Sequence, residues 1–237
     1  EFAKTAGDLG PVYGYQWRHG FTRKEKDSQE IKEVDQPVNL LNSAKEKPGS
    51  RYHILCAWNP GDLPDMAIGP CPFWHQFTIY GNQLDLTMVQ RSCDIYLGVP
   101  CNIAQDATLT HLVANELNLK PRFFNHITIN THAYLGVPPR ADFWTEQENV
   151  KEFQKRFREA IRQKDYLRLK DWYTKKAPPE SAGNERKDHI PFILEQLSKV
   201  PRRLPRIEIA QIPLFELIEQ PAGSVIKIER YNPHEWD

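Results

Sequence analysis

Across 237 residues, 31 lysines and arginines are balanced by 31 aspartates and glutamates, which excludes the broad cationic field that draws a nucleic-acid polymer. The length suits one large domain that buries roughly 70% of its unfolded surface without disulfides. Cys56, Cys71, Cys93 and Cys101 follow neither zinc-site nor disulfide-scaffold spacing and read as reduced thiols of a cytoplasmic protein; no apolar run nears the ~18–20 residues of a membrane span, and no signal-peptide pattern opens the sequence.

Residues 11–20, PVYGYQWRHG, read as an irregular aromatic and glycine-rich segment ahead of a polar stretch. Asp35 and Pro37 predict the start of a short helix carrying Val38, Leu40 and Leu41, ended by Pro48-Gly49. RYHILCAW (51–58) reads as a buried strand. In GPCPFWHQF (69–77), Cys71 stands between two prolines, a rigid setting that suits either a nucleophile or a core thiol. HQFTIY and LDLTMVQRS alternate apolar residues on either side of Gly81-Asn82-Gln83, a hairpin signal that places Arg91 and Ser92 at a strand end.

Beyond Gly98-Val99-Pro100, Leu109, Leu112, Val113 and Leu117 recur at helical spacing over 103–118, with Asn102 as a candidate N-cap. HITINTHAYL (126–135) alternates: His126, Thr128, Asn130, His132 and Tyr134 form a polar face, and Ile127, Ile129, Ala133 and Leu135 a packed one. One charged helix over 145–176 presents Val150, Phe153, Phe157 and Ile161 as its buried stripe, and APPESAGNERKD follows as a solvated loop. The helix HIPFILEQLSK and the strand-like runs RIEIAQI and SVIKIERY close the chain. The eight histidines include no HExxH pair, which argues against a metal site.

Taken in order, GDLGPVYGYQWR (7–18), CAWNPGDLPDMA (56–67), GPC (69–71), QRSCDIYLGVPCNIA (90–104), HAYL (132–135) and YNPH (231–234) resemble the thymidylate synthase family. The resemblance implies one α+β domain over 1–237, a large twisted mixed sheet with flanking helices, and a symmetric homodimer formed through the sheet. It also implies transfer of one carbon from 5,10-methylenetetrahydrofolate to C5 of a pyrimidine nucleoside monophosphate. A thiolate adds to C6 and makes C5 nucleophilic; hydride then yields methyl, and water yields hydroxymethyl.

On this resemblance Cys71 is the nucleophile, and Arg91, with Ser92 beside it, favours the thiolate and holds the phosphate. Arg51 is a phosphate arginine contributed across the dimer, with Tyr52 in place of its usual partner. Asn102 reads the base, its amide able to meet the O4 and N3–H edge of uracil, and because relatives acting on cytosine carry aspartate there it favours dUMP. His132 and Tyr134 hold the sugar hydroxyl, Asp94 orients the folate pterin and helps the ring proton step, and Tyr13 takes part in removing the C5 proton.

Departures cluster at the base: Pro72 stands where the family carries histidine, and Gln105 and Asp106 replace the serine and tyrosine of the NIASY stretch. They point to a specialised, virus-type member, with a dCMP hydroxymethylase or methylase as the alternative and a non-catalytic nucleotide-binding relative as a third reading. Residues 137–187 read as a helical insertion between HAYL and DHIPFILEQL. The resemblance starts after the family's first segment, with its mobile phosphate arginine and catalytic glutamate, and runs to YNPHEWD. A site without a closing tail would admit water beside the hydride donor, an expectation that brings in the hydroxymethyl product.

Overall fold

A computed structural model describes residues 7–181 and 187–234. The chain divides into two compact units. The first is made of the residues up to Cys93, Gly98–Thr131 and Ile207–Lys227, and the second of Asp94–Leu97, His132–Arg206 and the residues from Ile228.

In the first unit, the segment read as irregular forms a short helix α1 (Gly14–Arg18), and the polar stretch after it pairs β1 (Thr22–Lys24) with β2 (Ile31–Glu33). Helix α2 (Gln36–Glu46) starts as its sequence dictates: the Asp35 side chain accepts from Val38 N at 3.1 Å, and Pro37 occupies the first turn, where its missing N–H costs nothing. Strands β3 (Ile54–Cys56), β4 (Pro72–Tyr80), β5 (Gln83–Asp94) and β6 (Lys120–His132) form one sheet in that order, β4 antiparallel to both β3 and β5. Tyr80 pairs with Gln83 across a two-residue loop in which Gly81 takes φ 59°, a conformation glycine adopts without steric cost.

Helix α3 (Gly98–Glu116) packs its apolar side onto this sheet. Leu40, Leu41, Leu55, Phe77, Leu84, Leu86, Val113 and Ala114 form the core between them. The helix begins one turn earlier than its apolar spacing predicts, because Pro100 fits a first turn whose N–H groups need no partner. Asn102 therefore lies inside the helix rather than capping it.

The face of β6 expected to pack does not. Ile127 is 50% exposed and Ile129 65%, whereas His126 on the other face is half-buried. The physical reason is that Phe124, two residues from His126, packs against the core, so Phe124 and His126 turn inward, while Thr128 and Asn130 further along the strand are exposed as well.

In the second unit the single predicted helix is two: α4 (Gln147–Gln163) and α5 (Tyr166–Lys176). Lys164 at φ 55° ends the first, and Asp165 caps the second by accepting from Arg168 N at 3.1 Å. The buried position on α4 is Ala160; Ile161 is 50% exposed. Helix α6 (Ile190–Ser198) places Leu194 against Ala160 and Leu169. Arg140 and Asp188 are both buried and joined by a 2.7 Å bond, and the same Asp188 oxygen accepts from Tyr173 Oη at 2.7 Å. Strands β7 (Arg206–Ile209) and β8 (Ile226–Glu229) replace the longer runs expected near the end; between them, in the part of the chain that belongs to the first unit, lie the single-turn helices α7 (Leu214–Leu217) and α8 (Ala222–Val225). The chain thus has the α+β class its sequence predicts. Among the described residues no helix is long and apolar enough to cross a membrane.

Candidate active site

Cys71 sits immediately before β4, whose first residue is Pro72. A proline with no N–H is tolerated at a strand start, and the Cys71 carbonyl makes the cross-strand bond instead, accepting from Arg91 N at 2.9 Å. Arg91 comes from β5, and its guanidinium is clasped by the loop carrying the cysteine. Nε donates to Pro70 O at 2.9 Å and Nη2 to Gly69 O, with Nη2 4.0 Å from Cys71 Sγ and the plane over Trp58.

Tyr13 approaches the same cysteine. Its Oη accepts from the Cys71 backbone N–H at 3.1 Å. The residue holds φ 36°, on the positive side that a tyrosine rarely adopts, so local strain is tolerated where the hydroxyl must be aimed. Gly10 makes the turn before it possible: at φ 75°, any Cβ there would stand 2.1 Å from Asp65 O. Burial pushes the Tyr13 hydroxyl above its ordinary value, the Cys71 backbone bond working against it.

Beside them is a cavity of about 490 Å3, within the usual range for a small-molecule site. Tyr13, Pro72, Asn102, Gln105, His75 and Asp106 line it, with Trp17 and Leu109 as its apolar wall. Asn102, Asp106 and Leu109 follow one another on one face of α3. Cys71 lies next to this wall, through Pro72 and Tyr13, rather than within it.

Sequence reasoning missed His75, Gln90 and His126 and assigned Asp106 no role. His75 Nε2 meets Asp106 Oδ1 at 2.9 Å, both side chains almost wholly buried. Gln90, also buried, donates from Nε2 to Ser92 O and to Asn102 Oδ1, each at 2.9 Å, and its Oε1 accepts from His126 Nε2 at 2.8 Å. Burial holds the His126 imidazole below its ordinary value, the Asp106 charge opposing it. A polar residue amid the apolar alternation of β4 and β5 was the available signal.

Of the other sequence candidates, Arg51 is exposed before β3, its carbonyl accepting from Gln76 Nε2 at 3.2 Å, and it is not in the cavity wall. Ser92 is half-buried on β5. Cys93 is fully buried, which holds its thiol up, as suits a core residue, whereas Cys101 is exposed on the first turn of α3.

Asp94, His132 and Tyr134 belong to the second unit. Asp94 Oδ1 accepts from Tyr96 N at 3.1 Å and lies 3.5 Å from His189 Nδ1. The His189 ring contacts Tyr96 and Tyr134, and Tyr134 contacts His132 at 5.3 Å between centroids. A carboxylate with acceptor capacity to spare, beside several ring faces, fits a flat heterocycle bearing N–H groups.

An α+β fold that sets a cysteine between prolines, with a guanidinium near its sulfur and a cavity at its side, defines the candidate site. The chain belongs to the thymidylate synthase family, whose model matches residues 1–236. It is 31% identical to a thymidylate synthase of Haloferax volcanii over 212 residues, 90% of this chain and 58% of that protein. Over 135 residues it is 46% identical to a thymidylate synthase of Bos taurus, covering 56% of this chain and 38% of that one. With a thymidylate synthase of Mesoplasma florum it shares 44% identity over 137 residues, 57% of this chain and 44% of that protein. The chain thus spans less than two thirds of each of these relatives.

Proposed function

We propose that this chain carries out one-carbon transfer from 5,10-methylenetetrahydrofolate to C5 of a pyrimidine nucleoside 5′-monophosphate, through a covalent bond from Cys71 Sγ to C6 of the base. The observation that carries this reading is the 4.0 Å approach of the Arg91 guanidinium to Cys71 Sγ beside a cavity that Asn102, Gln105 and Asp106 help to line. Addition at C6 moves the ring's electron pair toward C5, and on this reading Tyr13, whose hydroxyl accepts from the Cys71 backbone N–H, handles the C5 proton. The folate supplies the carbon and, for a methyl product, the hydride.

Arg91 and Ser92 hold the phosphate on this reading, His132 and Tyr134 the sugar hydroxyl, and Asp94 the pterin. Asn102 and Gln105 face the base. A uracil nucleotide stands first, because Asn102 lies in the wall and the relatives are named thymidylate synthases; a cytosine nucleotide is the second reading, favoured by the Asp106 carboxylate in the same wall. The partner is a second copy of the chain, which would cover the exposed Phe123, Ile127 and Ile129 and offer its Arg51 to the phosphate. Residues 137–187 are a helical insertion within a single family domain, in a cytoplasmic protein.

Incubation with 5-fluoro-dUMP or 5-fluoro-dCMP and methylenetetrahydrofolate tests the proposal by mass spectrometry. A ternary adduct on Cys71 is expected. Its absence with both nucleotides would leave a relative that binds nucleotides without reacting. The product mass from the unfluorinated nucleotide separates methyl from hydroxymethyl, which differ by one oxygen.

A further inference from the structure

The amide orientations in the cavity wall follow from one backbone group. The Ser92 carbonyl can only accept, so the Gln90 atom facing it at 2.9 Å is the NH2 group. The same nitrogen faces Asn102 at 2.9 Å, so Asn102 presents Oδ1 to it and turns Nδ2 the other way, 3.5 Å from Gln105 Oε1. Gln90 Oε1 in turn faces His126 Nε2, which therefore carries the proton. Asn102 is thus fixed as a donor on its open side. The acceptor required to complete a reading of a pyrimidine's polar edge must come from elsewhere in the wall.

Asp106 is that acceptor. It lies one turn beyond Asn102 on the same helix face and lines the cavity. A carboxylate has about four acceptor sites, and the bond from His75 uses one. His75 is 1% exposed and edge-on to Trp17 at 5.3 Å, so its ring is packed in one position, and its Nδ1 is buried without a partner. A histidine buried this way holds the Asp106 carboxylate in one direction. Asp106 lines the same cavity as Tyr13, Pro72 and Asn102.

We infer that Asp106 is a specificity-determining residue that accepts a hydrogen bond from an N–H group on the polar edge of the pyrimidine, with His75 as the residue that positions it. The inference rests on the proposed nucleotide chemistry only for the identity of the ligand. Two N–H groups satisfy it: the 4-amino group of cytosine and the ring N3–H of uracil. Asn102 Nδ2 then donates to the adjacent acceptor, N3 of cytosine or O4 of uracil.

The test is equilibrium binding of dCMP and dUMP to the full chain without folate, which requires no chemistry at Cys71. A hydrogen bond to a charged group is worth about 10-fold or more in affinity, so Asp106→Asn is expected to shift the dCMP:dUMP affinity ratio by at least about 10-fold. A shift away from dCMP assigns the amino group, and a shift away from dUMP assigns the ring N–H. His75→Leu is expected to shift the ratio in the same direction, and His75→Gln, which keeps an amide N–H for Asp106, to restore it; a merely structural role would weaken both nucleotides alike. With the unaltered protein, 3-methyl-dUMP or N4,N4-dimethyl-dCMP is expected to bind at least about 10-fold more weakly than its parent, a loss that Asp106→Asn removes. A ratio unchanged within about twofold, or an N-methylation loss that persists in Asp106→Asn, overturns the inference. A fluoronucleotide adduct with no change in ratio would overturn it while leaving the one-carbon reading intact, and a changed ratio with no adduct would do the reverse.

Discussion

The Arg91 guanidinium both approaches Cys71 Sγ at 4.0 Å and grips the loop that carries it, through 2.9 Å to Pro70 O. Lysine at this position would keep the charge but lose the planar fork that reaches two carbonyls. Arg91→Lys is therefore expected to lower kcat/KM for the one-carbon transfer by about 100-fold and to slow alkylation of Cys71 by iodoacetamide at neutral pH. An alkylation rate equal to that of the unaltered protein would show that the guanidinium does not act on the sulfur. Cys71→Ser is expected to abolish the adduct.

Removing one member of a buried ion pair leaves the other charge without a partner. Asp188→Asn is accordingly expected to destabilise the second unit by about 3–5 kcal/mol, because Arg140 stays buried. Tyr173→Phe, which deletes one neutral donor to the same oxygen, is expected to cost about 1 kcal/mol. Hydrogen exchange along α5 reads both effects, and equal losses would contradict the charge argument.

Lys164 pays a steric penalty at φ 55° where α4 ends. Glycine has no Cβ to clash there. Lys164→Gly is expected to raise stability by about 0.5–1 kcal/mol, and Lys164→Ile to lower it; urea midpoints decide, and a destabilising glycine would mean that the turn is held by other contacts.

Acid should weaken the first unit in two windows. The His126 imidazole, held below 6.5 by burial, binds protons more readily in the unfolded chain, so its contribution is present above that pH and fades as pH falls through the folded value. The bidentate bonds from Arg122 hold the Asp85 carboxyl below 3.8, so its contribution is likewise present above 3.8 and lost on further acidification. Urea midpoints measured from pH 7 to 3 should lose the upper slope in His126→Gln and the lower one in Asp85→Asn. A single slope that neither substitution alters would rule out these two groups as the origin.

Phe123 and Ile129 are 59% and 65% exposed on β6, and an exposed apolar strand face invites a partner. Ile129→Glu is expected to convert a dimer to a monomer in sedimentation equilibrium. A monomeric unaltered protein would remove the partner from the proposed function and leave Arg51 without a phosphate to meet.

Local chemistry was legible wherever neighbours in the chain decide the outcome. Asp35 followed by Pro37 announces the cap of α2, Gly81-Asn82 announces the hairpin, and the family motifs mark Cys71, Arg91 and Asn102 without any coordinates. The charged stretch 145–176 misled because its apolar spacing runs on through Lys164, while the break depends on Lys164 taking a left-handed conformation that a lysine does not announce. Asn102 misled in a similar way, since an N-cap pattern and a second-turn position differ by a few residues that periodicity does not resolve.

By itself, the sequence determined the fold class and the family, through the resemblance that its ordered motifs carry, and it offered Cys71 and Arg91 as candidates for the thiol and guanidinium of the site. Only the tertiary structure decided which way the Asn102 amide faces, that His75 backs Asp106, and that Ile127 and Ile129 point outward. Each of these depends on partners far apart in the chain: Ser92 O acts through Gln90 on Asn102, β4 meets α3 at the His75–Asp106 bond, and Phe124 chooses the inward face of β6. Alternation specifies that a strand has two faces, but only the layer packed against it specifies which one is buried.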